Sequence, residues 1–188
     1  MINLLISDFD GTLADTFQAN YLAYRDALAP YGITLSEADY QNYFGLRFDD
    51  FMTCLRITDP RQRAAIRNAK SEAYPKYFDR LRVNQPLLDL IRHHHAHGGL
   101  TAIASTARRR NLLSALAHIG ATADFDIILA GEDADHPKPH PEIYQKILSH
   151  FGITPDSASR EVLVFEDSPA GLAAAQSASL PTLKITLR

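Results

Sequence analysis

The chain has 188 residues, 46% of them hydrophobic and 22% charged, a balance that excludes extended disorder and, at roughly 100–200 residues per domain, leaves one domain or one core with a modest insertion. Lysine and arginine number 19 against 22 aspartates and glutamates, and this net charge of −3 argues against nucleic acid as a partner. The lone Cys54 excludes an internal disulfide, and with neither a signal pattern nor an apolar run of about 18 residues, no membrane association and a cytoplasmic location are expected.

Short apolar runs bounded by polar turns read as buried parallel strands. The first, Ile2 to Ile6, leads into Ser7-Asp8-Phe9-Asp10-Gly11-Thr12. Helical patterns follow over 17–29, 36–44, 49–55 and 59–78, with Ser36 and Asp59-Pro60 as N-terminal starts. No strand is expected among them, and their aromatic residues, Tyr21, Tyr24, Tyr40, Tyr43, Phe44, Phe48 and Phe51, are expected to pack inward. From there helices and strands alternate: helix 87–97, strand 100–104 ending in Ser105-Thr106, helix 109–118, strand 125–130, helix 141–151, strand 162–165 ending in Glu166-Asp167-Ser168-Pro169, helix 171–178 and strand 182–187. That alternation predicts an α/β fold with a parallel sheet between helices. The expected organisation is a discontinuous core, residues 1–14 and 83–188, around a helical insertion, residues 15–82.

Asp8 and Asp10 lie two apart at a strand end, where side chains at i and i+2 share a face. Two adjacent carboxylates repel and call for a cation or a shared proton, and hard oxygen ligands favour Mg²⁺. Gly11 and Thr12 then permit a tight turn.

The run Asp8-Phe9-Asp10-Gly11-Thr12-Leu13-Ala14-Asp15 resembles the first motif of the haloacid dehalogenase-like (HAD) hydrolase superfamily in its phosphatase form. Three further motifs follow in the family's order: Ser105 after Ala102-Ile103-Ala104, Lys138 in Pro137-Lys138-Pro139-His140-Pro141-Glu142, and Glu166-Asp167-Ser168-Pro169-Ala170-Gly171. The resemblance implies a three-layer Rossmann-like core, a helical cap of the C1 type inserted after the first strand, and a Mg²⁺-dependent phosphatase of a small phosphorylated metabolite, similar to phosphoglycolate phosphatases. It implies Asp8 as nucleophile, forming an aspartyl-phosphate, and Asp10 as the acid and then the base. Ser105 with the Thr106 N–H would bind phosphate at the start of a helix, and Lys138 would neutralise Asp8 and the phosphoryl oxygens. Mg²⁺ would sit on Asp8, the Asp10 backbone carbonyl and Asp167, with Glu166 either ligating or orienting. In the cap, Tyr43-Phe44-Gly45-Leu46-Arg47 resembles the loop that faces the site, and Arg47 is the candidate for a second anionic or polar substrate group.

Other readings stay open at this stage. Ser105 and Thr106 also suit a helix N-cap pair. A β-phosphoglucomutase-like phosphomutase shares these motifs, and a non-catalytic phosphate-binding member would be expected to have lost one of Asp8, Asp10, Lys138 or Asp167. A receiver domain is disfavoured by the Asp-x-Asp-Gly-Thr order. His93-His94-His95 with His97 is read as a solvated helix end rather than a zinc site, and Arg108-Arg109-Arg110 as a solvated face. Ser179 stands where many relatives place a turn glycine. The expected assembly is a monomer or weak homodimer.

Overall fold

Residues 2–187 are described by a computed structural model, in which the apolar runs become strands of one sheet. The strands are β1 (Leu4–Ser7), β2 (Ala14–Asp15), β3 (Arg82–Val83), β4 (Leu100–Ala104), β5 (Ile127–Leu129), β6 (Val162–Glu166) and β7 (Thr182–Lys184). The helices are α1 (Phe17–Leu28), α2 (Glu37–Tyr43), α3 (Phe48–Cys54), α4 (Pro60–Ala73), α5 (Gln85–Ala96), α6 (Arg109–His118), α7 (Glu142–His150), α8 (Pro155–Glu161) and α9 (Pro169–Ser177). Two compact units emerge: one from the residues up to Asp15 together with those from Arg82 onward, the other from Thr16–Leu81.

The first unit holds a five-stranded parallel sheet in the order β5-β4-β1-β6-β7, flanked by helices, an α/β fold. One face follows from the pleat: Leu4 and Ile6, Ala102 and Ala104, and Val162 and Val164 point together onto Ile143, Tyr144, Ile147 and Leu148 of α7 and Ala174 and Ala175 of α9. Leu5, Ile103 and Phe165, equally buried, point the other way. Strands buried on both faces read as continuous apolar runs, which is why β1, β4 and β6 are legible in the sequence.

Register decides what meets at the sheet's carboxyl edge. Ser7 lies opposite Ile103 on one side and Phe165 on the other. One step on, Asp8, Ala104 and Glu166 stand level at the ends of three adjacent strands, and the Asp8 N–H donates to the Phe165 carbonyl at 3.0 Å. This is the edge where parallel α/β sheets place their ligands.

The second unit is helical. Phe17, Leu28, Leu35, Tyr40, Phe51, Met52, Ile57 and Ile66 form its core, with Tyr21, Tyr24, Tyr43, Phe44 and Phe48 packed around them. Tyr24 and Phe51 meet edge-on at 4.9 Å and Phe17 and Tyr40 lie 5.3 Å apart, geometries that add to area burial. The aromatic stretch therefore packs inward, as its spacing predicts.

Three local features depart from expectation. The helix expected over 59–78 ends at Ala73, and a 3-10 segment continues from Tyr74 to Arg80. Pro75 is the cause, since it has no N–H to donate and its ring opposes the carbonyl four residues back. The antiparallel pair β2–β3, which joins Ala14 to Val83 and Asp15 to Arg82, is not foreshadowed by the sequence, because two residues per strand carry no readable alternation. Helix α8 is a further addition; Thr154 caps it by accepting from the Ser157 N–H, and Pro155 opens its first turn.

Candidate active site

Lys138 lies at the centre of the carboxyl edge. Its Nζ donates to Asp8 Oδ1 at 2.8 Å, to the Ala104 carbonyl at 2.8 Å and to Glu166 Oε2 at 2.6 Å, so one ammonium spends its three protons on the three strand ends that register brings level. Its side chain is only 4% exposed and that of Glu166 is fully buried. Burial opposes the charge on Lys138, but Asp8, Tyr144 and Glu166 outweigh it and raise its pKa well above the ordinary lysine value. For Asp8, burial and the charge of Glu166 push the carboxyl well above the ordinary range, against the pull of Lys138.

Glu166 is fully engaged by protein donors. Its Oε1 accepts from the backbone N–H groups of Asp167 and Ser168 and from the Ser168 hydroxyl, and its Oε2 from Lys138 and, at 3.1 Å, from the Tyr144 hydroxyl. Ser168 also caps α9 by accepting from the Gly171 N–H. Gly171 is a steric requirement: a Cβ there would collide with both carboxylate oxygens of Glu166.

After β1 the chain turns sharply. The Leu13 and Ala14 N–H groups both donate to the Phe9 carbonyl, Phe9 is buried, and Gly11 adopts φ +93°. The turn sets the buried Thr12 hydroxyl 3.0 Å from Asp167 Oδ1, and leaves Gly11 so close to Asp167 that a Cβ would overlap Oδ2. Asp167 has its pKa pushed up to about 6, chiefly by burial, with the charges of Glu166 and Asp10 adding to the shift. Asp10 also raises Asp8, so its charge is felt at both neighbours.

Ser105 is buried directly beyond β4, and Thr106 is half-buried beside it. They do not form an N-cap pair: α6 begins at Arg109, and the Ser105 hydroxyl instead accepts from the Ala107 N–H at 3.0 Å. A turn thus separates Ser105 from the helix. It is held by the Gly131 N–H donating to the Ala107 carbonyl, while Glu132 accepts from the Arg109 N–H.

Glu142, in the sequence only the last residue of the lysine motif, clamps the loop that carries Lys138. Its carboxylate accepts from the backbone N–H groups of Asp135 and His136, both at 2.9 Å, and from Lys146 at 2.6 Å. Lys146 and these loop donors hold its pKa far below the usual carboxylate range. Tyr144 escapes sequence reasoning as a site residue, because its position on the apolar face of α7 reads as core; its hydroxyl nonetheless reaches Glu166.

Arg47 belongs to the helical unit, directly before α3, and is half-buried. The same unit buries Lys70, whose Nζ donates to Asn20 at 2.6 Å and sits 4.1 Å from the Tyr74 ring centre, a polar centre that helical periodicity alone disguises. Of the arginine run, Arg109 pairs with Asp133 and Arg108 approaches Glu132. In the histidine tract His94 lies beside the Asn3 carbonyl, His95 beside Asp126 and His97 beside the His93 carbonyl.

Asp8, Glu166 and Asp167 each bring an oxygen within 4.8 Å of the others. With the charge of Asp10 also acting on Asp8 and Asp167, acid exceeds base around the one ammonium of Lys138, an excess that a hard divalent cation relieves. Because Glu166 already accepts from five donors, Asp8 and Asp167 are the carboxylates with coordination to offer, and the donor set fits Mg²⁺.

The haloacid dehalogenase-like hydrolase family model matches residues 5–185. Among curated relatives, the protein CbbY of Rhodobacter capsulatus is 29% identical, over 95% of this chain and 83% of its own. A phosphorylated carbohydrates phosphatase of Thermotoga maritima is 27% identical, over 94% and 81%. The crystal structure of CbbY from Rhodobacter sphaeroides in complex with phosphate superposes with a TM-score of 0.85 at 27% identity, covering 97% of this chain and 85% of that one. The family model covers nearly the whole length, and the chain belongs to the haloacid dehalogenase-like hydrolases.

Proposed function

We propose that this chain is a Mg²⁺-dependent phosphatase of small phosphorylated metabolites, phosphorylated sugars foremost, working through an aspartyl-phosphate on Asp8. The observation that carries the reading is the hold of Lys138 on Asp8 Oδ1, with Glu166 behind it. Lys138 orients the carboxylate and offsets its repulsion from an anionic ester, leaving the other Asp8 oxygen to attack phosphorus. As that oxygen–phosphorus bond forms, the bond to the leaving alkoxide breaks and Asp10 gives the alkoxide its proton. Asp10 then takes a proton from water as the water oxygen attacks the same phosphorus, which releases phosphate and restores the Asp8 carboxylate. Asp8, Asp167 and the Asp10 carbonyl would hold Mg²⁺, whose positive charge supplies electrostatic relief for the phosphoryl oxygens.

Ser105 and the Thr106 N–H are assigned to phosphate oxygens, with the turn after β4 rather than a helix end as their frame. Glu166 is assigned to holding Lys138. Residues 15–82 are read as the cap, with Arg47 as its contact to a second polar group of the substrate. The names of the Thermotoga maritima relative and of a fructose-1-phosphate phosphatase of Escherichia coli, 26% identical, support a sugar phosphate as substrate.

The test is phosphate release from a panel of sugar phosphates and phosphorylated organic acids with Mg²⁺, with and without a sugar bisphosphate primer. Turnover is expected for at least one compound, lost in Asp8→Asn and lost reversibly on chelation. An isomerised sugar phosphate in place of free phosphate, or full activity in Asp8→Asn, overturns the reading.

A further inference from the structure

Outside the carboxylate centre, a second group of metal-ligating side chains stands on the Lys138 loop. His136, His140 and Glu142 each present a ligand atom within 4.8 Å of the others. We propose that these three residues form a binding site for a borderline transition metal of the Zn²⁺ type, distinct from the site assigned to Mg²⁺.

The donor chemistry separates the two sites. Two imidazoles and one carboxylate suit Zn²⁺, whereas Mg²⁺ seeks oxygen and keeps its water. The His136 and His140 rings lie 4.6 Å apart, and His136 Nδ1 is 2.8 Å from Glu142 Oε2. Both carboxylate oxygens are in use: Oε1 accepts from Lys146 and the Asp135 N–H, and Oε2 accepts from the His136 backbone N–H with the His136 ring on its other side, while the Glu142 N–H donates to His140 Nδ1 at 3.3 Å and leaves Nε2 of that ring for a metal. Both histidines are exposed, so their rings can turn through the short distance that bond lengths of about 2.0–2.1 Å demand.

The backbone is already arranged for binding. Pro137, Pro139 and Pro141 alternate with His136, Lys138, His140 and Glu142, and each fixes its own φ. Glu142 further ties the Asp135 and His136 N–H groups to the start of α7. Little chain freedom remains to be lost when a metal arrives, the condition under which a three-ligand surface site binds. The histidine tract on α5 lacks this arrangement, since no third ligand joins His93 and His97 within reach among the described residues.

Equilibrium dialysis of the full chain against Zn²⁺ in excess Mg²⁺ tests the site, with Co²⁺ as a spectroscopic probe of nitrogen ligation. One Zn²⁺ per chain is expected to persist. The paired substitution His136→Ala and His140→Ala should weaken it at least about tenfold while circular dichroism stays native, and both Asp167→Asn and the pair His93→Ala and His97→Ala should retain it. No retained Zn²⁺ at roughly 100 µM free metal overturns the proposal. So does binding that disappears with Asp167→Asn or with the His93 and His97 pair but survives loss of His136 and His140. Neither result bears on phosphate release, so this proposal and the phosphatase reading fail separately.

Discussion

Lys138 Nζ lies 2.6 Å from Glu166 Oε2, in a pair whose side chains are 4% and 0% exposed. An ion pair so buried is held by mutual need: removing one partner leaves an uncompensated charge. Lys138→Met is expected to lower unfolding free energy by about 3–5 kcal/mol in urea denaturation, and to abolish phosphate release. Adding Glu166→Gln should restore at least about 1 kcal/mol of stability without restoring activity, because the glutamine no longer buries an unpaired charge. A double variant as unstable as the sum of the singles would show that the pair is not coupled.

Gly171 governs the same carboxylate through space. A Cβ at this position would run into the Glu166 carboxylate, so Gly171→Ala must displace the glutamate or the first turn of α9. A loss of about 1–3 kcal/mol is expected, together with a fall in kcat, since Lys138 moves with its partner. Ala is otherwise the better helix former, so unchanged or increased stability would contradict this account.

The pH dependence has a structural source away from the site. Burial raises Asp126, but the Thr101 N–H at 2.8 Å, the Thr101 hydroxyl and His95 together outweigh it and lower its pKa. A folded pKa below the unfolded value means that the unfolded chain binds the proton more readily. The contribution is therefore present above the unfolded value of about 3.9 and is lost as pH falls through the folded one. Solvent screens this partly exposed carboxylate, so Asp126→Asn should cost no more than about 1 kcal/mol near neutrality. The gap from the parent chain should narrow as urea denaturation is repeated below about pH 4.

Ser179 adopts φ 57°, in the left-handed region, after α9. Its backbone conformation is the one a glycine takes without strain. Ser179→Gly is expected to stabilise the fold by about 0.5–1 kcal/mol and to raise the melting temperature with activity unchanged. A lower melting temperature would show that the serine side chain contributes more than its backbone costs.

Much of this protein is legible in the chain. Fully buried strands make uninterrupted apolar runs, so β1, β4 and β6 stand out, and the polar residues that end them mark the carboxyl edge. Asp8, Ser105 and Asp167 can be singled out because their motifs fall on those boundaries, whereas Lys138, between Pro137 and Pro139 in the loop before α7, is marked only by the resemblance of its motif. The short β2–β3 pair cannot be read, since two residues per strand are held by tertiary pairing and carry no periodicity.

The sequence by itself determined the parallel α/β class, the helical character of the inserted segment and the residue types assembled at the edge, because these depend on local periodicity and turn chemistry. Only the tertiary structure decided how those residues are used. Strand register sets Asp8, Ala104 and Glu166 level, so that one lysine satisfies all three. The fold also saturates Glu166 with protein donors, and it makes Tyr144 and Glu142 supports of the site rather than ordinary members of a helix. The physical reason is that hydrogen-bond saturation and burial depend on neighbours far apart in the chain, which no local pattern records.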